Sequence, residues 1–299
     1  MLQTLKILWD FSRPHTIIGS FLSITTLFVL ACPAGSWQLH FPLYGWTLLA
    51  ALACNVFITG LNQITDVDMD KINKPFLPLA SGALSMQSAR YIVGVSLVLC
   101  LSAAWMAAPL ILVIMSFILL IGTAYSTPPF RLKRHHITAA LCIIIVRGVL
   151  VNLAIGAAFD WQLYGRIIHW QEWTVLMIFV SVFSLAIAWF KDLYDTKGDD
   201  LYQIRTFPLL YSVQSTYKWG NILVVLAYLA AIGLSWSISG AAKWILVGGH
   251  VLLMLLFIGH ALRSSVSTRE GMYRFYMVFW VFFFAEYVLF LGYGAMNYE

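Results

Sequence analysis

The sequence predicts an all-α polytopic membrane protein of about nine transmembrane helices, and three observations predict it. Of the 299 residues, 61% are hydrophobic and 10% charged, with a mean hydropathy of +0.83; soluble domains carry about 25% charged residues. The apolar residues form long continuous runs rather than alternating, which disfavours a β-barrel. Fifteen of the 18 lysines and arginines fall in or beside alternate loops, against Arg166 and Lys243 on the opposite side and Arg147 inside a run.

Taken in order, residues 1–14 read as an amphipathic segment lying on the membrane surface, with no secretory signal. Apolar runs follow at 16–31, 43–61, 89–107, 109–125, 137–158, 173–190, 219–238, 242–262 and 273–293. Most approach the roughly 20 residues that a bilayer-crossing helix needs. The first is short, and the third and fourth are parted only by Ala108, next to Pro109. The basic asymmetry puts the amino terminus on the cytoplasmic face and the carboxyl terminus outside, because Lys and Arg are retained inside. Much of the net charge of +5 is that topology signal, so it implies no nucleic-acid partner. Cys32, Cys54, Cys100 and Cys142 show no metal or redox spacing and read as small core residues. His135-His136, beside Arg131, Lys133 and Arg134, reads as a solvated basic turn.

Seven of the 13 acidic residues sit in two clusters, Asn62-Gln-Ile-Thr-Asp66-Val-Asp68-Met-Asp70 and Lys191-Asp-Leu-Tyr-Asp195-Thr-Lys-Gly-Asp199-Asp200. Each follows directly on an apolar run, and acids so placed are costly unless they serve a function. Helical spacing puts Asn62, Asp66 and Asp70 on one face and Asp192, Asp195 and Asp199 on another, with Asp68 and Asp200 left to solvent. Gly198 is a point where the second helix could fray and let Asp199 swing inward. Opposed carboxylate stripes suit Mg2+, which binds through one or two carboxylates together with substrate phosphates. Lys74, Arg131, Lys133, Arg134, Lys191 and Arg205, in the same loops or at their edges, would complete the neutralisation of a diphosphate. Tandem acids coupling ions in a secondary transporter would instead lie near the bilayer midplane.

Asn62-xxx-Asp66-xxx-Asp70 and Asp195-xxx-Asp199 resemble the two aspartate-rich motifs of the UbiA superfamily of intramembrane prenyltransferases. Phe11-Ser-Arg-Pro-His-Thr16, Gly60-Leu-Asn-Gln63, Asp70-Lys-Ile-Asn-Lys-Pro75, Leu77-Pro-Leu-Ala-Ser-Gly82, Tyr125-Ser-Thr-Pro-Pro129, Arg131-Leu-Lys-Arg134, Val146-Arg-Gly148 with Asn152, and Phe190-Lys-Asp192 are similar to the homogentisate branch of that family. Within the branch the pattern is most like the phytyltransferases. Three positions depart from common patterns: Lys74 where many members have arginine, Gln63 where other branches have aspartate, and Tyr194 where phytyltransferases often have proline.

The resemblance implies a single domain over 1–299, built from nine helices around a central cavity under a cytoplasmic cap. It implies Mg2+-dependent transfer of a phytyl or geranylgeranyl group from its diphosphate to homogentisate with decarboxylation, giving a prenylated methylquinol for tocopherol or prenylquinone synthesis. Asp66, Asp70, Asp195 and Asp199 would be catalytic, holding the metal with Asn62 and Asp192. The basic residues above would bind diphosphate. Arg147, with Asn152 and Tyr125, would meet the acceptor, the alternative for Arg147 being a pair with a helix carbonyl or with Glu286. The allylic cation needs a dry site lined by ring faces, and Phe57, Tyr125, Trp189 and Tyr194 lie near the motif ends. Solanesyl donors and dihydroxynaphthoate or chlorophyllide acceptors are the runners-up. The short amino terminus, with no transit-like segment, leans towards a bacterial source.

Overall fold

The structure is a computed structural model and describes residues 2–297. A surface helix α1 (Leu2–Phe11) precedes α2 (Pro14–Ala31). Then come α3 (Trp37–Thr65), the short α4 (Val67–Asn73), α5 (Met86–Ala107) and α6 (Pro109–Ser126). After a single tight turn at Leu132–Arg134 come α7 (His136–Tyr164) and α8 (Trp170–Asp192). The short helices α9 (Thr196–Leu201) and α10 (Phe207–Tyr211) lead to α11 (Val213–Trp236), α12 (Lys243–Arg263) and α13 (Arg269–Asn297). Among the described residues nine helices are long and apolar enough to cross a membrane, namely α2, α3, α5 to α8 and α11 to α13. The chain is an integral, multi-pass, all-helical membrane protein.

Local chemistry fixes the boundaries. Pro14 and Pro109 stand at the first helical position, where a missing N–H costs nothing. Ala108 is extended (φ −171°, ψ 151°) because the residue before a proline avoids the helical region, and that one residue separates α5 from α6. Hydrogen bonds reach five residues along within Ile144–Ile155, widening the middle of α7 into a π segment, a feature that often accompanies functional sites.

The spans close into a ring. In sequence around it, α2 packs on α3, α3 on α6, α6 on α7, α7 on α8, α8 on α13, and α13 back on α2, with α5, α11 and α12 packed outside. The α2–α13 closure is marked by Thr26 Oγ1 donating to the Tyr287 carbonyl at 3.2 Å. α8 is the most internal span, 61% buried along its apolar stretch. Its Phe183 stacks on Phe279 of α13 with centroids 4.3 Å apart and planes 3° from parallel, so aromatic packing carries this seam. At the end of the bundle away from the aspartates, Trp37, Trp105, Trp161, Trp170, Trp236 and Trp244 are exposed on helix ends, as interfacial tryptophans are.

One close approach is required for the α7–α8 packing. A Cβ on Gly156 would stand 2.6 Å from the Trp173 ring, which is fully buried and held by an Nε1–H donated to Asp160 at 2.9 Å. Gly156→Ala is therefore expected to lower stability by roughly 1–3 kcal/mol through overpacking. A thermal unfolding midpoint in detergent equal to that of the parent would contradict it.

Candidate active site

Both acidic clusters lie at helix breaks rather than on unbroken helix faces. The helix of α3 stops at Thr65, Asp66 takes φ −116° and ψ 10°, and α4 resumes at Val67. At the other cluster α8 ends at Asp192 and α9 starts only at Thr196. This corrects the stripe geometry expected from four-residue spacing. Its outcome nevertheless holds: Asn62, Asp66, Asp70, Asp192, Asp195 and Asp199 all line one cavity. Asp68 and Asp200 are exposed, as their positions predict. Asp199 turns inward because Gly198 lets α9 pack against α4.

The cations near these acids divide into two groups. Lys74 pairs with Asp195 and lies 4.0 Å from Asp70. Lys133 donates to Asp66 at 2.6 Å, and Arg131 reaches the other oxygen of Asp66 at 3.2 Å. Lys191 lines the cavity, 3.5 Å from Asp192 and 3.4 Å from the Tyr125 hydroxyl. Arg134 and Arg205, expected beside the diphosphate, are not brought there. Both are exposed and line a separate surface groove, because a backbone bridge (Arg205 N–H to the Arg134 carbonyl, 3.0 Å) holds their loops together outside the cavity.

Crowding governs the electrostatics. Burial raises the Asp70 carboxyl above the ordinary carboxylate range, and Asp66 and Asp195 add to the rise against Lys74 and Arg13. Burial, with Asp192 and Asp195, pushes Asp199 up to about 8. Burial pulls Lys133 down to about 8 in spite of Asp66. For Lys74 burial also pulls downward, but Asp195 and Asp70 outweigh it and the ammonium is held above its usual value. Carboxylates packed this closely resist ionising together until positive charge arrives.

Two buried carboxylate oxygens, Asp70 Oδ2 and Asp195 Oδ1, have no hydrogen-bond partner. Unpaired anionic oxygens of this kind are hard donors suited to Mg2+. Among the described residues no three His, Cys, Asp or Glu side chains are grouped closely enough to hold an ion alone. The donor set therefore fits an ion that takes its remaining ligands from phosphate and water.

Below the acids the cavity continues into an apolar chamber, the two parts sharing Thr16, Ile58, Thr59, Val146, Arg147 and Trp280. The deeper part is walled by Ile24, Met115, Ile118, Val151, Ile155, Phe283 and Tyr287. Arg147 stands at the junction. Its guanidinium lies 4.8 Å from the Trp280 ring centroid and 5.7 Å from that of Phe283, and its buried Nη1 has no partner. A pair with Glu286 does not form, because Glu286 is bound to His250 Nε2 at 2.9 Å. Tyr125 lines the cavity. Asn152, expected beside an acceptor, does not: it is buried, donates to the Arg147 carbonyl at 2.6 Å and accepts from the Tyr287 hydroxyl at 3.1 Å. The π segment makes this possible, since its five-residue reach stacks Asn152 over Arg147. Of the ring faces named near the motif ends, Phe57 is buried in the core, Trp189 stacks on Phe207 at 4.1 Å, and Tyr194 is 8% exposed and faces Lys74.

Some cavity residues escaped the sequence reading. Arg13 is one, reaching Asn62 Oδ1 at 3.5 Å from a left-handed backbone (φ 55°), a conformation shared by Arg131 (φ 39°), which the sequence did single out. Such backbone is uncommon outside glycine and persists where its surroundings impose it. His15 packs on Trp280 at 4.8 Å, and Tyr276 and Trp280 of α13 line the cavity. Arg13 and His15 lie in the Phe11–Thr16 motif, which offered a signal; α13 offered none.

Comparison with known proteins adds to this geometry. A model described as the UbiA prenyltransferase family matches residues 22–285. The homogentisate phytyltransferase of Synechocystis is 39% identical over 97% of this chain and 96% of its own length. The homogentisate geranylgeranyltransferase of Hordeum vulgare is 36% identical over 97% of this chain and 72% of its own. A UbiA homologue from Archaeoglobus fulgidus, solved bound to DMAPP and Mg2+, superposes with a TM-score of 0.70 at 16% identity, covering 97% of this chain and 98% of that one.

Proposed function

The chain belongs to the UbiA prenyltransferase family, and we propose from that premise that it transfers a phytyl or geranylgeranyl group from the corresponding diphosphate to homogentisate. The observation that carries the reading is one continuous cavity with carboxylates and lysines at one end, apolar walls at the other and Arg147 between them. Relatives named for homogentisate transfer, similar over nearly the whole chain, support the acceptor.

Magnesium fits Asn62, Asp66 and Asp70 on one side and Asp192, Asp195 and Asp199 on the other. Bound there with the diphosphate, it would neutralise the leaving group. Lys74 and Lys191 stand at the same end to meet phosphate oxygens, while Lys133 and Arg131 hold Asp66 in place. The allylic carbon–oxygen bond breaks with its electron pair leaving on diphosphate. The apolar walls keep water from the cation, and the Tyr125, Tyr276 and Trp280 rings offer it electron-rich faces. Arg147 orients the acceptor by its carboxylate, so that a ring carbon attacks the cation. The ring then loses a proton, the carboxylate leaves as carbon dioxide, and the methylene takes up a proton to become methyl.

The basic-residue asymmetry supports a cytoplasmic aspartate end. Exposed Leu5, Leu8 and Trp9 support seating of α1 in the bilayer interface.

Purified protein incubated with homogentisate and a panel of prenyl diphosphates should give a decarboxylated, prenylated methylquinol by mass analysis. Excess EDTA should stop diphosphate release, and added magnesium should restore it. An undiminished rate under EDTA would remove the ion from the reaction; a product retaining the carboxylate would point to another acceptor chemistry.

A further inference from the structure

The two aspartate clusters come from helices far apart in the chain, so their separation must be set by contacts between them. Asn73, the last residue of α4, lies in that seam and is 2% exposed. Its Oδ1 accepts from the Gly198 backbone N–H at 2.9 Å, and its Nδ2 donates to Asp199 Oδ1 at 3.3 Å. A Cβ on Gly198 would stand 2.6 Å from the Asn73 carboxamide, so residue 198 must be glycine for α9 to approach this closely. The Asn73 carbonyl ends α4, where carbonyls lack intrahelical donors.

Arg269, the first residue of α13, supplies the missing donor. Its Nη2 donates to the Asn73 carbonyl and its Nε to the Tyr194 carbonyl, the latter at 3.2 Å. Tyr194 immediately precedes Asp195, in the break between α8 and α9. One planar guanidinium therefore joins the backbone between Asp70 and Lys74 to the backbone entering Asp195. Neither Asn73 nor Arg269 lines the cavity.

We propose that Asn73 and Arg269 are positioning residues that set the separation of the two aspartate clusters and tie both to the helix carrying Tyr276 and Trp280. The proposal rests on the reading that the clusters hold a diphosphate through magnesium. The residue types follow from the task. An aspartate at 73 would repel Asp199, and a lysine at 269 is a point charge that lacks the fork joining two carbonyls.

The test uses the full-length protein carrying Arg269→Ala, Arg269→Lys or Asn73→Ala, with both substrates and magnesium varied separately. In Arg269→Ala the magnesium requirement and the diphosphate KM should rise at least about tenfold, as on loss of a group supporting metal ligands. The homogentisate KM and thermal midpoint should stay near parental values, and free guanidinium should recover part of the rate. Arg269→Lys should fall between the two. Equal losses in all constants together with a lower midpoint, or no change in any, would overturn the proposal. A second measurement is independent of turnover. Spin labels at the exposed Lys71 and Lys197 positions should give a narrow distance distribution in the parent and a broader one in Arg269→Ala and Asn73→Ala. Unchanged distributions defeat the clamp even if the parent proves active; broadening in the two variants, where the parent makes no product, upholds the clamp and defeats the assigned reaction.

Discussion

Asp195→Asn is expected to lower turnover by roughly a thousandfold, the scale seen when one preorganised charge-stabilising group is removed, while the protein still folds. Asp195 is 3% exposed; one oxygen binds Lys74 and the other, Oδ1, has no partner in the protein. Asparagine has the same shape and keeps an oxygen for Lys74, and Asp70 remains 4.0 Å from that ammonium. What disappears is the negative charge proposed to hold magnesium and, through it, the diphosphate. The measurement is initial rate with both substrates saturating, beside a thermal midpoint. A rate within tenfold of the parent would falsify the assignment of Asp195 to the metal site. Asp66 makes a poorer probe. Its carboxylate compensates the buried Lys133 and also binds Arg131, so its removal strands a buried charge. Breaking such a pair costs about 3–5 kcal/mol, and lost activity would then be confounded with lost fold.

Arg147→Ala is expected to raise the homogentisate KM by roughly 10- to 100-fold, from the 1.5–3 kcal/mol of a hydrogen bond to a charged group. The diphosphate KM should change little. Arg147 sits where the polar and apolar parts of the cavity meet, spread on the Trp280 and Phe283 rings, with Nη1 lacking a partner. A buried guanidinium with an idle donor is costly by itself and suited to receiving a carboxylate. Arg147→Lys keeps the charge but loses the planar stack and the fork, so it should recover only part of the affinity. Steady-state kinetics with each substrate varied in turn provides the check. A rise in the diphosphate KM alone would assign Arg147 to the other substrate.

The spans were legible because a bilayer demands long apolar runs, and each predicted run falls within one of the nine observed helices or passes its end by a few residues. The meeting of the two acidic clusters at one cavity was legible too, since acids are scarce in such a chain and each cluster stands out. Local geometry was less so. Four-residue spacing presumed unbroken helices through Asp66 and Asp195, whereas both positions lie at breaks. The loop arginines looked alike in sequence. Only the fold shows that Arg131 turns in towards Asp66 while Arg134 and Arg205 are held outside by a backbone bridge. Asn152, expected beside the acceptor, lies behind Arg147 because the helix is wider there. Arg13 passed as one more cytoplasmic cation, since topology alone accounts for a positive charge at that place. Tyr276 and Trp280 were hidden among many aromatics whose default position faces lipid.

The closing contact of the ring, α13 against α2, has a bearing on biogenesis. These two spans are neighbours although far apart in the sequence, and Trp280 and Phe283 of α13, the rings against which Arg147 lies, emerge from the ribosome long after Arg147 itself. Until that helix inserts, the nascent bundle is an open horseshoe with a guanidinium facing its gap, a state the bilayer penalises. Arrival of α13 removes that penalty, so enclosure of the arginine itself favours closure of the ring.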